Sequence, residues 1–159
     1  MGTEFNEHIA YYNGTADTNK QTTFASVNTY TPLLIIIDDY ISTPTTITTE
    51  ESLGKFKLGS SGVYLVQFRL SVTGGTNDVY KCGIALNGNV LSYTEQTFST
   101  KGSNIWEVQN LALVNLDLVP ISNSAFGSSD NTIQLYIQNT TDTSTFTLKN
   151  ASFVIIRIQ

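Results

Sequence analysis

The residues that most often carry enzyme chemistry are scarce in this sequence. It contains one histidine, His8, and one cysteine, Cys82, among 159 residues. A Ser-His-Asp or Cys-His constellation needs a histidine beside its nucleophile, and no Gly-x-Ser-x-Gly turn is present to hold a serine. His8 stands alone, without a second ligand at metal-binding spacing. We therefore expect no nucleophilic triad and no metal centre.

Carboxylates could do acid–base work if two of them faced one cleft, as in a glycan hydrolase built on a jelly roll. Asp38 and Asp39 are adjacent, and neighbours in a strand point to opposite faces, so they cannot form one acid–base pair. A cation site at these two residues, on an oligomer axis, stays open. None of the glutamates stands in a recognisable catalytic context (Glu4, Glu7, Glu50, Glu51, Glu95 and Glu107). The sequence predicts a protein that is not an enzyme and has no cofactor, with a carbohydrate-active enzyme as a remote alternative.

Composition excludes nucleic acid as a partner and favours strands over helices. Eight Lys and Arg stand against 13 acidic residues, for a net charge of −5, and no basic run is present to neutralise phosphates. Charged residues make up only 13% of the chain, which disfavours surface helices because these rely on Glu, Lys and Arg. No apolar run near residue 1 predicts a signal peptide or a membrane span. We expect an all-β protein made in a reducing cytoplasm.

Alternation of apolar residues predicts the strands and the division of the chain. In residues 62–72, every second side chain from Tyr64 to Val72 is apolar, as in a strand with one face on a core. Residues 20–30 resemble a first strand, whereas residues 1–19 lack periodicity. We therefore predict a flexible N-terminal arm over residues 1–19, able to dock on a larger assembly, and one domain over residues 20–159.

A hairpin is predicted between two further alternating runs, Val79–Leu86 and Val90–Phe98. Asn87-Gly88 lies between them, and both residues accept the positive φ that a tight turn requires. Cys82 shares the parity of the apolar residues of the first run, so we expect it to be a small buried hydrophobe. A single cysteine cannot form a disulfide within the chain.

Four strands carry apolar residues on both faces over part of their length: 33–37, 63–66, 111–114 and 153–156. An antiparallel sheet normally keeps one face wet, so the second apolar face predicts burial against symmetry mates. Loops or the N-terminal segment could cover it instead. A bulge near Asn150–Ser152 could reset the parity of the last strand. The predicted interface residues are Val63, Leu65, Leu111, Leu113, Phe153 and Ile155.

The turns are candidate binding loops if consecutive strands simply alternate in direction. The turns at residues 74–78, 99–104 and 139–144 would then gather at one end of the domain, and those at 87–89 and 120–130 at the other. Their Gly-, Thr-, Asn- and Asp-rich sequences suit polar or sugar contacts, although ordinary turns have the same composition. The candidate residues are Gly75, Thr76, Asn77, Asp78, Lys101, Asn104, Thr141, Asp142 and, as an apolar anchor or a loop plug, Phe126.

The order of these elements resembles the C1q/TNF-like jelly roll. Gly62-Val63-Tyr64-Leu65-Val66-Gln67-Phe68 is similar to the Gly-x-Tyr-x-x-x-Phe strand of that superfamily. The Asn87-Gly88 hairpin, the long strand from Trp106, the Ile133–Ile137 strand and a hydrophobic last strand follow in the expected order. The resemblance covers about residues 20–159 and implies a two-sheet antiparallel sandwich that assembles as a homotrimer.

Within that superfamily the chain resembles the heads of bacteriophage virion proteins more than the secreted animal members. It has no signal peptide, collagen-like stalk or paired cysteines, and its residues 139–143 and 151–158 look like those of phage head fibres, capsid decorations and tail-fibre tips. The resemblance implies a virion structural or attachment module that contacts other virion proteins through its N-terminal arm. Its end loops would bind virion or host-surface glycan or protein, without membrane insertion. The alternative is a secreted recognition or signalling ligand, for which the sequons at Asn13, Asn139 and Asn150 give weak support.

Overall fold

Twelve β-strands and one short 3-10 turn make up the part of the chain that the computed structural model describes. The described residues are 8–33, 35, 39–43, 47–50, 54–59, 61–116 and 131–158. In chain order the strands are β1 (His8–Thr22), β2 (Thr31–Pro32), β3 (Asp39–Thr43), β4 (Ile47–Glu50), β5 (Lys55–Leu58), β6 (Val63–Thr73), β7 (Thr76–Leu86), β8 (Asn89–Val90), β9 (Gln96–Lys101), β10 (Trp106–Asn115), β11 (Asn131–Asn139) and β12 (Phe146–Arg157). The 3-10 turn covers Ser92–Thr94. No helix of the described residues has the length and hydropathy that crossing a membrane requires.

The strands pair antiparallel and form two sheets. Sheet 1 has the order β10–β6–β12–β1–β3, and sheet 2 has the order β4–β5–β11–β7–β8. In sheet 2, β2 also pairs with β11, and β9 also pairs with β7. Neighbouring strands such as β6 and β12 are far apart in the sequence, so the two sheets interleave along the chain as they do in a jelly roll. The predicted all-β, two-sheet jelly roll is confirmed.

One hydrophobic core fills the space between the sheets. The alternating apolar residues of β6, from Tyr64 to Val72, are all at most 2% exposed, which confirms the predicted core face. Aromatic rings connect the sheets, because the ring centroids of Phe56 and Phe153 are 5.1 Å apart, a spacing at which aromatic pairs attract. Cys82 is fully buried in the same core, as predicted.

A bulge in β12 shifts its alternation by one residue. Leu148 pairs with Val72 of β6, whereas Asn150 pairs with the adjacent Ser71. Lys149 is therefore an extra residue in β12. Such an insertion moves the following side chains to the opposite faces of the sheet. The bulge predicted near residues 150–152 is present one position earlier.

The bulge decides which residues of β12 belong to the core. Before it, Phe146 and Leu148 are buried; after it, Ala151, Phe153 and Ile155 are buried. Phe153 and Ile155 are only 3% and 0% exposed. Their predicted place at an interface is therefore wrong, because the extra residue turns both side chains toward sheet 2.

The start of the chain departs from the predicted division at residue 20. β1 begins at His8 and pairs with β12 as far as Thr22, with an irregularity between Thr15 and Lys20. Over residues 9–13 it also pairs with β3. Backbone pairing with two neighbours can fix a strand whose sequence does not alternate, so periodicity alone missed it. Residues 1–7 of the predicted arm lie outside the described residues.

The strand predicted for residues 20–30 ends early. β1 stops at Thr22, and the chain then turns through Asn28, which has a φ of 60°. The hydroxyls of Ser26 and Thr29 are hydrogen-bonded at 2.6 Å. Ser, Thr and Asn side chains bond to nearby groups and favour turns, so the Thr/Ser/Asn alternation that suggested a strand suits a turn equally well.

The predicted hairpin turn is present at Asn87 and Gly88, with φ values of 51° and 83°. The return strand predicted for residues 90–98 is broken, however: β8 ends at Val90, and β9 starts only at Gln96. The break is held by Thr94, whose hydroxyl accepts a hydrogen bond from the Ile84 amide at 2.8 Å. A side chain thus replaces the backbone partner that a continuous strand would supply.

Candidate functional site

Three neighbouring strands of sheet 1 carry apolar side chains on the face that points away from the core. Leu65 of β6 lies between Leu113 of β10 and Ile156 of β12. At one end the Ile158 amide donates to the Val63 carbonyl at 2.8 Å, which continues the apolar surface. We call the whole set the apolar patch: Val63, Leu65, Leu111, Leu113, Val154, Ile156 and Ile158.

The apolar patch is contiguous and partly open to solvent. Leu111, Leu113 and Ile158 are 57%, 51% and 49% exposed, and its other members are half-buried. Directly opposed side chains on one face of a sheet lie about 4.5–5.5 Å apart. A contiguous exposed apolar surface of this kind usually marks a site of interaction with another molecule.

The structure places four of the six predicted interface residues in the apolar patch: Val63, Leu65, Leu111 and Leu113. Val154 and Ile156 occupy the places predicted for Phe153 and Ile155, and Ile158 extends the patch. The sequence contained one signal for this replacement, the bulge predicted near residues 150–152. Pairing with β6 is what fixes the bulge at Lys149 and so sets the final parity.

The other half of the same face is polar. Arg69 of β6 donates from Nε to Glu107 Oε2 of β10 at 2.6 Å, and its Nη2 donates to the same oxygen. The Ser71 hydroxyl donates to Glu107 Oε1 at 3.2 Å. The hydrogen bonds from Arg69 hold the pKa of Glu107 below its ordinary value. Sequence reasoning did not single out this pair, because its residues are 38 positions apart.

Three turns meet at the end of the sandwich that lies beyond Ser71. The Thr100 hydroxyl donates to the Gly75 carbonyl at 2.7 Å, which joins β9 to the turn between β6 and β7. The Thr140 amide donates to the Val79 carbonyl at 2.8 Å, which joins the turn after β11 to β7. The turns predicted to gather at one end therefore do lie together. At the opposite end, the Asn87 amide group donates to Asn131 Oδ1 at 2.8 Å.

Asp78 is predicted to lie in an open binding loop, and this prediction is wrong, because the residue is the centre of a buried polar cluster. It is only 3% exposed. Its Oδ2 accepts hydrogen bonds from the Tyr80 hydroxyl at 3.0 Å and from Asn139 Nδ2 at 3.3 Å, and the Ser144 hydroxyl also donates to it. A buried carboxylate must be satisfied in this way, so Asp78 fixes the turns rather than meeting a ligand.

The remaining candidate loop residues differ in how far they are open to contact. Asn77, Lys101 and Asn104 are exposed. The Thr141 hydroxyl accepts from the Val79 amide at 2.9 Å. The exposed Asp142 carboxylate accepts from the Ser144 amide at 2.7 Å. That backbone hydrogen bond is the main cause of a lowered pKa at Asp142.

Three other candidate loop residues need separate mention. Gly75 lies in the turn, half-buried, and Thr76 is exposed at the first position of β7. Phe126 lies outside the described residues.

The described residues contain no group of three His, Cys, Asp or Glu side chains arranged to hold a metal ion. Asp38, one half of the pair considered for a cation, is outside the described range, and Asp39 begins β3. Burial raises the pKa of the Cys82 thiol to about 12, which keeps it protonated and inert. A cavity between the sheets, beside Phe56 and Phe153, holds about 10 Å³, room for no more than one water molecule.

Comparison with known proteins gives a fold and no sequence family. No protein-family model matches the chain, and no curated protein sequence matches it. Among solved structures, the crystal structure of mouse APRIL at pH 5.0 superposes with a TM-score of 0.55 at 8% sequence identity, covering 94% of this chain and 98% of APRIL. The fold is a TNF-like jelly roll. In this TNF-like jelly roll, the apolar patch and the Arg69–Glu107 pair share the outer face of sheet 1.

Proposed function

We propose that this chain is a non-enzymatic module that forms a homotrimer through the outer face of sheet 1 and serves as a virion structural or attachment protein. The observation that carries the proposal is the apolar patch. Leaving Leu111, Leu113 and Ile158 about half exposed forgoes on the order of 1 kcal/mol for each side chain. Packing copies of the chain together recovers that free energy at every protomer.

Three-fold assembly is supported by the fold. The C1q/TNF-like jelly rolls that this sequence resembles form compact trimers, and mouse APRIL is a solved example of the fold. A closed ring of copies also covers each patch with a neighbour and leaves no open apolar surface. An open arrangement would expose a patch at each end and favour fibres.

The virion role is supported by composition and by the arrangement of the turns. The chain is poor in charge, with 13% Asp, Glu, Lys and Arg, and resembles phage head-fibre, decoration and tail-fibre heads. In the proposed module, the segment before β1 tethers the trimer to other virion proteins. The turns held by Asp78 form a firm end at which exposed residues such as Asn77 and Lys101 meet a glycan or protein on a host surface.

A secreted ligand is the competing function, and the structure removes part of its support. The Asn139 side chain has no exposed surface, and its Nδ2 donates to Asp78. A glycan cannot be carried on this buried amide in the folded protein. The genes adjacent to the coding sequence separate the two functions. Neighbouring capsid, portal or tail genes would support the virion module. Neighbouring secretion genes, without any of these virion genes, would favour the secreted ligand.

The assembly is tested by measuring mass in solution. We expect the wild-type protein at micromolar concentration to sediment with three times the chain mass of 17.4 kDa. Leu113→Asp should weaken assembly by more than about a hundredfold, because the assembled interface would then bury a carboxylate within the apolar patch. The matched control is Tyr93→Asp, which alters a 65% exposed side chain in the 3-10 turn. A monomeric wild type, or equal loss in both variants, would contradict the proposal.

A further inference from the structure

Arg69 and Glu107 form an ion pair in which both carboxylate oxygens are satisfied within the protomer. Arg69 occupies Oε2 through two nitrogens, and Ser71 occupies Oε1. The two charged side chains are nevertheless 61% and 51% exposed. On a free surface water would satisfy these groups, and the pair would contribute little. Complete pairing becomes important when such a face is covered, because a buried charge without partners is strongly destabilising.

The apolar patch by itself is too small for a stable contact between copies. The patch spans three strands, which lie about 4.8 Å apart. Along each strand it spans three outward-facing positions about 6.8 Å apart, so its area is on the order of 300 Å². A stable interface covers about 800 Å² on each partner. The contact must therefore extend past the patch. Along β6, the next outward position after Gln67 is Arg69, only about 6.6 Å further on.

We propose that the Arg69–Glu107 pair lies inside the contact between copies of this chain and that assembly depends on the pair being ionised. This inference rests on the proposed homotrimer. The occupant that fits is a second copy, because the face brings one positive and one negative charge that neutralise each other. A strongly acidic or basic partner would find no net charge to match. When copies pack, a complete pair can be covered, whereas a single charge cannot.

The sign of the pH dependence follows from Glu107. Its pKa lies below the ordinary 4.5, chiefly because Arg69 donates hydrogen bonds to the ionised carboxylate. The contribution of the pair is therefore complete above that ordinary value and is lost as the pH falls through the lowered pKa. Protonated Glu107 leaves Arg69 as a cation without its counter-ion in each copy. Acid thus weakens the assembly.

The surroundings add few competing charges. Among the described side chains of β6 and β10, Arg69 and Glu107 are the only charged residues on this face. On β12, Ser152 pairs with Arg69 and Asn150 with Ser71, and the nearest charge is Lys149 at the bulge.

The test measures assembly by sedimentation, from about pH 7 to about pH 3, for the wild type and for Glu107→Gln. We expect the wild type to weaken at least about tenfold in acid. Glu107→Gln should already be weakened at least about tenfold at pH 7 and should lose the acid dependence. The matched control is Glu95→Gln, just before β9, whose carboxylate pairs with Lys81 of β7 at 3.4 Å. It should assemble as the wild type does.

A charge-swapped protein, Arg69→Glu with Glu107→Arg, separates pairing from loss of fold. It restores an ion pair across the same two strands and should recover most of the assembly at neutral pH. If it is folded by circular dichroism yet as weak as Glu107→Gln, pairing is not the cause and the inference is wrong. Unchanged assembly of Glu107→Gln at both pH values also overturns the inference while the homotrimer stands. A wild type that is monomeric at neutral pH overturns the homotrimer itself.

Discussion

At the scale of single residues, buried polar side chains hold one end of the sandwich. Asn139 illustrates this: its Oδ1 accepts from the amides of Thr141 and Asp142 at 2.9 and 3.2 Å, and its Nδ2 donates to Asp78. Asn139 and Asp78 are 61 positions apart, so one cluster ties the turn after β11 to the start of β7. A flexible turn is thereby converted into a fixed one.

Removal of the Asp78 carboxylate should be among the most damaging polar substitutions. In Asp78→Ala the hydroxyls of Tyr80 and Ser144 lose their acceptor, while Asn139 Nδ2 keeps its hydrogen bonds to Asp142 and Ser144. Unsatisfied buried groups cost about 1–3 kcal/mol each, so the free energy of unfolding should fall by about 3 kcal/mol or more. Urea unfolding measures the change. Lys101→Ala removes an exposed side chain from the same end and should change the free energy of unfolding by less than about 1 kcal/mol. Equal losses in the two variants would argue against a buried cluster.

At the scale of elements, the single extra residue in β12 assigns its side chains to two surfaces. Phe146 and Leu148 face the core before Lys149, and Phe153 faces it afterwards. Val154 is thereby left to the outer face. An uninterrupted strand would place Phe153 beside the apolar patch and Val154 in the core. The bulge thus serves both the core and the candidate interface.

Deletion of Lys149 should disrupt the fold, whereas its truncation should not. A chain without this residue must either turn Phe146 and Leu148 outward or shift the pairing of the rest of β12 with β6. Removing two large apolar side chains from the core should lower the free energy of unfolding by at least about 4 kcal/mol. Lys149→Ala keeps the extra residue and should change it by less than about 1 kcal/mol. Thermal unfolding followed by circular dichroism compares the two. A deletion variant as stable as Lys149→Ala would mean that the bulge does not set the parity.

At the scale of the whole molecule, different surfaces are available for different tasks. Sheet 1 offers the apolar patch and the Arg69–Glu107 pair on one face. The turns around Asp78 form one end of the sandwich, away from the patch. The proposed assembly through sheet 1 would leave that end open for a partner, as the proposed attachment module requires.

Thermal stability should depend on protein concentration if the chain works as a homotrimer. Assembly stabilises the folded state by mass action, so the Tm should rise with concentration. The Tm of Leu113→Asp should depend much less on concentration, because its assembly is weakened. Differential scanning calorimetry measures the Tm. A concentration range of about a hundredfold is wide enough to reveal the effect of mass action. A wild-type Tm that is independent of concentration would speak against assembly.

Composition and alternation by themselves determined the fold class and much of the core. The low charge and period-two runs predict an all-β sandwich, and the core face of β6 from Tyr64 to Val72 follows from its own sequence. The tight turn at Asn87-Gly88 is also local, because it depends on the φ values that these residues accept. The surplus of apolar residues at Leu65 and Leu113 predicts a second surface that a monomer does not bury.

Only the tertiary structure decided which residues join that surface and which polar groups support it. The sequence allows a bulge in β12, but pairing with β6 places it at Lys149 and exchanges Phe153 for Val154. Asp78 looks like any turn residue until Asn139 is brought beside it, and Arg69 meets Glu107 only when β6 and β10 pair. These contacts join residues distant in the sequence, so no local pattern contains them. The sequence specifies what each strand can bury, and the pairing of the strands selects what it does bury.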